Sequence, residues 1–169
     1  MDFAANRQKQ LSKYTDTGWD EVATFIGENA HRFEATWTRL HDAALEGKFA
    51  SARSWCWPAF FFSFAWYFYR KQWAAGIALL MLPIIMGFVL PASHGAAIGI
   101  SVAIGMLSKQ LYIGQAVNQI DKIKARHAPG PERDNAIAAA GGFSVPAGVI
   151  GGLIWIVLML AAIASIFIR

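Results

Sequence analysis

Residues 143–168 read FSVPAGVIGGLIWIVLMLAAIASIFI, and this stretch decides the fold class. It contains no charged residue, and fourteen of its side chains are Leu, Ile, Val or Phe. A helix of about 20 apolar residues is long enough to cross the hydrocarbon core of a bilayer. The stretch therefore predicts a transmembrane helix, which Arg169 terminates.

Two stretches upstream also predict membrane spans. Residues 73–90 carry no charge and hold nine Leu, Ile, Phe or Val residues, which favours insertion even with Pro83 in the helix. Residues 96–114 are less apolar and include Lys109. Because Lys109 is close to the end of the span, its side chain can extend to the interface. The sequence between them, 91–95, combines Pro and Gly with small polar residues and predicts a tight turn.

The span at 96–114 has small residues at helical spacing. Ala97, Ser101 and Gly105 are four positions apart, as are Gly95 and Gly99. Small residues at this spacing let two helix backbones approach closely. We expect these Gly/Ala/Ser faces to pack within the chain, with contact between copies in a homo-oligomer as the alternative.

Residues 55–69 read WCWPAFFFSFAWYFY and are unusually aromatic. A helix of that length spans about 22 Å, which is less than the roughly 30 Å of the hydrocarbon core. Trp and Tyr also favour the headgroup interface. The stretch predicts an interfacial or re-entrant helix over 55–70, although a crossing helix stays open as an alternative. Arg70 and Lys71 close it and are candidate contacts for anionic lipid headgroups, or simple topology anchors.

The first 54 residues differ from the rest of the chain. They hold seven Lys or Arg and eight Asp or Glu. Residues 1–17 are polar, lack the apolar core of a signal peptide, and are expected to be frayed. Over 19–46 the apolar residues recur at steps of three, four and seven, which predicts a cytosolic amphipathic helix or a helix pair interrupted near Gly27 and Asn29. It would pack on itself or a partner, or lie on the membrane surface.

The distribution of Lys and Arg predicts the orientation. If 55–69 does not cross, fourteen of the fifteen basic residues share the side of the N-terminus, and only Arg169 is opposite. If it crosses, the two sides hold eight and seven. The positive-inside rule favours the first arrangement. We therefore predict an all-α polytopic membrane protein with about three transmembrane helices and a cytoplasmic N-terminus. Its division would be a cytosolic segment, 1–54, and a membrane domain, 55–169, in which 124–135 is a charged loop.

Two aromatic clusters carry a family resemblance. The stretches WPAFFF at Trp57–Phe62 and WYFYRKQW at Trp66–Trp73 resemble the signature of a bacterial family of small membrane proteins, catalogued as a domain of unknown function. The resemblance extends to Phe25–Ala30 with Phe33 and Trp37, to Tyr112 and to Gly141–Ser144. It implies a location in the bacterial inner membrane, and it implies no activity.

The chemistry-bearing residues form no familiar catalytic motif. The sequence has no nucleophile elbow, phosphate loop, dinucleotide fingerprint or HExxH. The single cysteine, Cys56, and the histidines at 31, 41, 94 and 127 show no metal-ligand spacing. The histidines at 31 and 41 are expected to be exposed. We predict no enzyme activity, no cofactor and no metal.

The leading functional hypothesis is a non-enzymatic scaffold or modulator of a membrane or envelope complex. Its partners would be membrane lipids and a protein bound by the N-terminal segment. Nucleic acid is not expected, because the basic residues flank apolar stretches. The alternative is a small transporter or channel component, for which only Ser101, Ser108, Lys109 and Gln110 suggest a polar path.

Overall fold

In the computed structural model, residues 3–89 and 94–167 are described, and every regular element among them is an α-helix. The predicted all-helical class is confirmed. The helices are α1 (Phe3–Thr15), α2 (Trp19–Ile26), α3 (His31–Leu45), α4 (Trp57–Phe62), α5 (Phe64–Tyr69), α6 (Trp73–Val89), α7 (His94–Lys124), α8 (Pro131–Ala140) and α9 (Val145–Phe167).

The chain forms two compact units, each made of two segments. We call Met1–Trp55 with Leu107–Gly142 the polar unit, and Cys56–Met106 with Phe143–Arg169 the apolar unit. The predicted division into a cytosolic segment, 1–54, and a membrane domain, 55–169, stays a prediction. In the structure, 107–142 packs with the N-terminal residues. The physical reason is its buried apolar face, which completes their core.

The polar unit has a core of the kind found in water-soluble helical domains. α2 packs against α8, and α1 packs against α3. The C-terminal part of α7 contributes side chains that are almost completely buried, and removing such apolar area from water stabilises the unit. The core residues of this unit are Leu11, Val22, Phe25, Ile26, Phe33, Trp37, Leu40, Ala44, Ala52, Tyr112, Ile113, Ala116, Val117, Ile120 and Ile137.

The predicted amphipathic region is a helix pair. α2 begins after Gly18, whose backbone N–H donates to Glu21 Oε2 at 3.1 Å. It ends at Gly27, which has a φ of 71°, and Asn29 follows with a φ of 67°. Both values lie in the left-handed region, which glycine and asparagine tolerate best. The chain therefore turns here and starts α3.

Two predictions about polar stretches were wrong. The segment expected to be frayed contains α1, because Leu11 is buried and Lys13 Nζ donates to Asn118 Oδ1 at 2.8 Å. The loop predicted over 124–135 ends early, since α8 begins at Pro131. Proline suits the first turn of a helix, where its missing N–H is not needed, and acidic side chains there favour the helix dipole.

In the apolar unit, the aromatic stretch forms two short helices rather than one. α4 starts with Pro58 in its first turn and ends at Ser63, which has a φ of 42° and also precedes α5. α5 packs against α6 and α9. Phe64, Ala65 and Phe68 of α5 form a buried cluster with Ala147 of α9.

Glycines make the α5–α9 contact close. A Cβ added at Gly148 would lie 2.9 Å from the Tyr69 ring, and one at Gly151 would lie 3.1 Å from the Ala65 Cα. Both distances are too short for an ordinary contact. The small residues at the start of α9 are therefore used in packing within the chain.

One helical stretch among the described residues, Pro131–Ala161, is long and apolar enough to cross a membrane by length and composition. It takes in α8 and most of α9. Trp73–Leu82 of α6 is a shorter apolar helix. Most of the turn predicted at 91–95 lies outside the described residues, although α7 already begins at His94.

Candidate membrane-contact surface

The side chains of α9 are apolar and largely exposed in the apolar unit. Of the 18 most apolar consecutive residues in Pro131–Ala161, which includes most of α9, only 11% are buried. In water, burying apolar area is the main favourable contribution to folding, so a helix with this much exposed apolar surface suits contact with another apolar phase. Its exposed large side chains are Val145, Val149, Ile150, Leu153, Ile154, Ile156, Val157, Leu158, Met159, Leu160 and Ile163.

Exposed aromatic side chains extend this surface at α4. Trp57 is 61% exposed and stacks on Phe61, with ring centroids 5.8 Å apart. Phe62 meets Trp155 of α9 edge-on at 5.5 Å. Trp73, at the start of α6, is also exposed. Together these side chains give the apolar unit an aromatic region of the kind that favours a membrane interface.

Charged residues are divided unequally between the two units. All eleven acidic residues and twelve of the fifteen basic residues fall in the polar unit. The apolar unit contains only Arg70, Lys71 and Arg169. Because a charged side chain in hydrocarbon is costly, this division is what a lipid-embedded unit and a hydrated unit require.

The predicted headgroup contacts lie at the turn between α5 and α6. Arg70 is only 8% exposed, and its guanidinium carbon is 5.7 Å from the centroid of the Tyr69 ring. Lys71 is half-buried and has a φ of 58°. Of the pair, Lys71 is the more accessible, and headgroup contact by either residue stays a prediction.

Gln72 follows in the same turn and was not singled out from the sequence. Its side chain is buried, and neither amide atom has a hydrogen-bond partner among the described residues. A buried amide without partners usually costs stability. No sequence signal separates it from an ordinary exposed glutamine.

Only part of the predicted small-residue face at 96–114 lies among the residues whose side chains are described. The carbonyl oxygen of Gly105 accepts a hydrogen bond of 2.9 Å from the Cys56 N–H, so this glycine lies against the chain that enters α4. A Cβ added at Gly99 would meet no atom within 4 Å. Contact between copies through this face stays a prediction.

In the polar unit, Glu21 joins three segments. Its carboxylate lies 2.9 Å from Lys124 Nζ and 3.6 Å from Arg133 Nη2, and its Oε2 also accepts the Gly18 N–H. The three charged side chains are partly buried. Sequence reasoning missed this cluster because its members are distant in the chain. Only the spacing of Gly18 and Glu21, typical of a helix start, gave a local signal.

Lys109 belongs to the polar unit and not to the apolar one. Its Nζ donates to the Arg32 carbonyl oxygen at 2.9 Å and lies 5.8 Å from the centroid of the Phe33 ring. These contacts fix α3 to α7. The sequence predicted instead that the Lys109 side chain extends from the end of a span to the membrane interface.

Two histidines of the polar unit, His31 and His41, have different surroundings. His31 is exposed, as expected. His41 is half-buried, contrary to expectation: its Nδ1 lies 2.9 Å from the Tyr14 carbonyl oxygen, and its ring is 5.3 Å from that of Trp37. Within the described part of the chain, no three His, Cys, Asp or Glu side chains are placed to hold a metal ion.

Residues that carried the sequence resemblance meet in both units. In the polar unit the rings of Phe25 and Phe33 lie 6.2 and 5.4 Å from that of Tyr112. In the apolar unit Tyr69 stacks on Phe143 at 5.1 Å. Phe25, Phe33 and Tyr112 therefore belong to the packed interior of the polar unit, whereas Tyr69 and Phe143 are half-buried.

Residues 23–126 match the family described as Protein of unknown function (DUF2628). The matched region is more than half of the chain. The chain belongs to this family. The DUF2628 region runs from α2 to just beyond α7 and so includes segments of both units. Neither the curated proteins nor the solved structures contain a match to the chain.

Proposed function

We propose that this DUF2628 protein is a multi-pass protein of the bacterial inner membrane that acts without catalysis, as a scaffold or modulator of a membrane or envelope complex. Its crossing segments would be 73–90, the part of 96–114 that precedes Leu107, and 143–168, and its N-terminus would be cytoplasmic. The polar unit would then lie in the cytoplasm and carry the surface that meets a protein partner.

The observation that carries the proposal is the contrast between the two units. The polar unit buries its apolar side chains and holds 23 of the 26 charged residues, from eleven acidic and twelve basic. The apolar unit exposes the apolar side chains of α9 and α6. Exposed apolar side chains are more favourable in lipid than in water, so lipid is the environment that suits the apolar unit.

The charged clusters support a structural role for the polar unit. Glu21 pairs with Lys124 and Arg133, and Lys13 Nζ lies 3.5 Å from Asp121. These side chains connect helices to each other, which suits a rigid module that binds through its surface. The contacts of Lys109 with Arg32 and Phe33 likewise favour packing over the polar path that a transporter would need.

Extraction and accessibility test the membrane arrangement. In alkaline carbonate the chain is expected to stay with the membrane fraction. In a Cys56→Ala background, cysteines placed by Asn6→Cys and Ala128→Cys are expected to resist a membrane-impermeant thiol reagent in intact cells, while Ser93→Cys is labelled. Labelling of all three, or of the first two alone, contradicts the proposed orientation.

Crosslinking tests the scaffold role. A photo-crosslinker on the exposed face of α3, at Arg39, is expected to capture a discrete partner in cells, while one at Ile156 in α9 captures lipid. If Arg39 yields only lipid or no adduct under conditions in which Ile156 reacts, the scaffold role fails while the membrane assignment stands.

A further inference from the structure

The first two turns of α1 lie on the surface of the polar unit. Every residue from Phe3 to Lys9 is exposed, and Phe3 is 86% exposed. Leu11 is the first side chain that the unit buries. A helix end that exposes an aromatic side chain without packing it has a surface available for a ligand or a membrane.

A groove runs between this helix end and the segment after α3. Its apolar walls include Phe3, Leu11 and Phe49, the last of which is 59% exposed. Arg7 lies in the same groove: its Nη2 donates to the Gly47 carbonyl oxygen at 3.1 Å, and its guanidinium carbon is 5.9 Å from the centroid of the Phe49 ring. The guanidinium thus lies beside exposed apolar surface.

Among the described residues that line the groove, the charged one is Arg7, which is positive. α1 also carries Lys9, which is exposed, whereas Lys13 pairs with Asp121 outside the groove. The nearest carboxylate in the opposite wall segment, Glu46, lies 3.0 Å from Lys48 Nζ. Aromatic side chains combined with guanidinium and ammonium groups are the combination that binds the interface of an anionic bilayer.

We propose that the α1 groove docks on the surface of the membrane and binds anionic phospholipid, with Phe3 and Phe49 in the acyl boundary and Arg7 on the phosphate. The inference rests on the proposed membrane function. Phe49 lies seven positions before Cys56, where the apolar unit begins, and seven extended residues span at most about 25 Å. The covalent chain therefore keeps the groove within reach of a bilayer that holds the apolar unit.

The test uses the full chain in lipid nanodiscs with a reporter in the groove. Gln8→Cys, in a Cys56→Ala background, is labelled with nitrobenzoxadiazole, and dithionite measures the fraction of label that water-soluble reductant reaches. In discs that contain phosphatidylglycerol the label is expected to be protected. In discs of phosphatidylcholine alone it is expected to be reduced.

Matched variants connect this protection to the groove. Arg7→Gln is expected to lower the ratio of protected to reduced label about fivefold, the effect of one basic residue at an anionic surface. Phe49→Ser is expected to lower it as well. Arg39→Gln, which removes the same charge from the exposed face of α3, is expected to leave the ratio unchanged. Circular dichroism of each variant shows that its helix content is retained.

Four outcomes overturn the inference. They are equal reduction with and without phosphatidylglycerol, equal effects of Arg7→Gln and Arg39→Gln, protection by soluble polyglutamate in neutral discs, and protection that appears only with two copies per disc. The last two assign the groove to an acidic polypeptide or to a second copy. A chain that does not enter discs at all contradicts the proposed function instead.

Discussion

The Gly142 N–H donates a hydrogen bond of 2.7 Å to the carbonyl oxygen of Phe25. This bond ties the segment before α9 to the end of α2, across more than a hundred residues of sequence. Gly142 has a φ of 74°, which glycine adopts without strain. Next to it, a Cβ added at Gly141 would overlap the carbonyl group of Phe25. The close approach of these two backbones therefore depends on glycine at both positions.

Gly141→Ala is expected to lower the free energy of unfolding by about 1–3 kcal/mol, because the added methyl group meets backbone atoms that cannot rotate away. Chemical unfolding in detergent, followed by circular dichroism, measures the change. Gly99→Ala is the control, since a Cβ there meets no atom within 4 Å. Equal stability of Gly141→Ala and the wild type would show that the two backbones are farther apart.

Gly151→Leu is expected to destabilise the contact between α5 and α9 by about 1–3 kcal/mol through overpacking against Ala65. Its sequence neighbour Gly152 provides the matched control, because a Cβ there meets nothing within 4 Å. Gly152→Leu should unfold at the wild-type temperature or above it. If both variants lose the same stability, the effect comes from glycine content and not from this interface.

Glu21→Gln removes the carboxylate that lies between two partly buried cations, Lys124 and Arg133, and leaves Lys124 with the Asp16 carbonyl oxygen, to which its Nζ donates at 2.6 Å. We expect a loss of about 1.5–3 kcal/mol, the range for hydrogen bonds to charged groups. Glu46→Gln disrupts the pair with Lys48, which is largely exposed, and should cost at most about 1 kcal/mol. Chemical unfolding of both variants decides the order, and a reversed order would contradict the proposed structural role of Glu21.

Gln72→Met is expected to raise the free energy of unfolding by about 1 kcal/mol, because it removes a buried amide that lacks partners among the described residues. Gln110 is the matched control. Its Oε1 accepts the Ala52 N–H at 3.1 Å and its Nε2 donates to the Ala50 carbonyl at 3.3 Å. Gln110→Met should therefore be destabilising. A comparable loss in Gln72→Met would reveal a bound partner for that amide.

Burial raises the pKa of Tyr14 above its ordinary value of 10.0. The unfolded chain therefore loses this proton first as the pH rises, and above pH 10 the free energy of unfolding falls. The slope is at most about 1.4 kcal/mol per pH unit for one group. Tyr14→Phe lacks this titrating group. The difference in the free energy of unfolding between Tyr14→Phe and the wild type is therefore expected to be constant from about pH 7 to 9 and to change above about pH 10. A constant difference throughout would contradict the burial of Tyr14.

The all-helical class followed from the sequence alone. The apolar stretch at 143–168, the charge-free stretch at 73–90 and the amphipathic spacing at 19–46 are local patterns, and helix formation responds to local patterns. The break at Gly27 and Asn29 was also visible, because few residues tolerate a positive φ. The resemblance to a family of unknown function rested on similarly local aromatic motifs.

Tertiary structure decided how those helices are grouped. α7 is one continuous helix, and only its packing shows that Lys109 belongs with Arg32 and Phe33 while the preceding residues belong to the apolar unit. The partners of Glu21 lie more than a hundred residues away in the chain, and the groove at Arg7 needs the backbone of Gly47. Hydrophobic periodicity specifies which face of a helix is apolar, but the identity of the neighbour depends on long-range packing that no local pattern encodes.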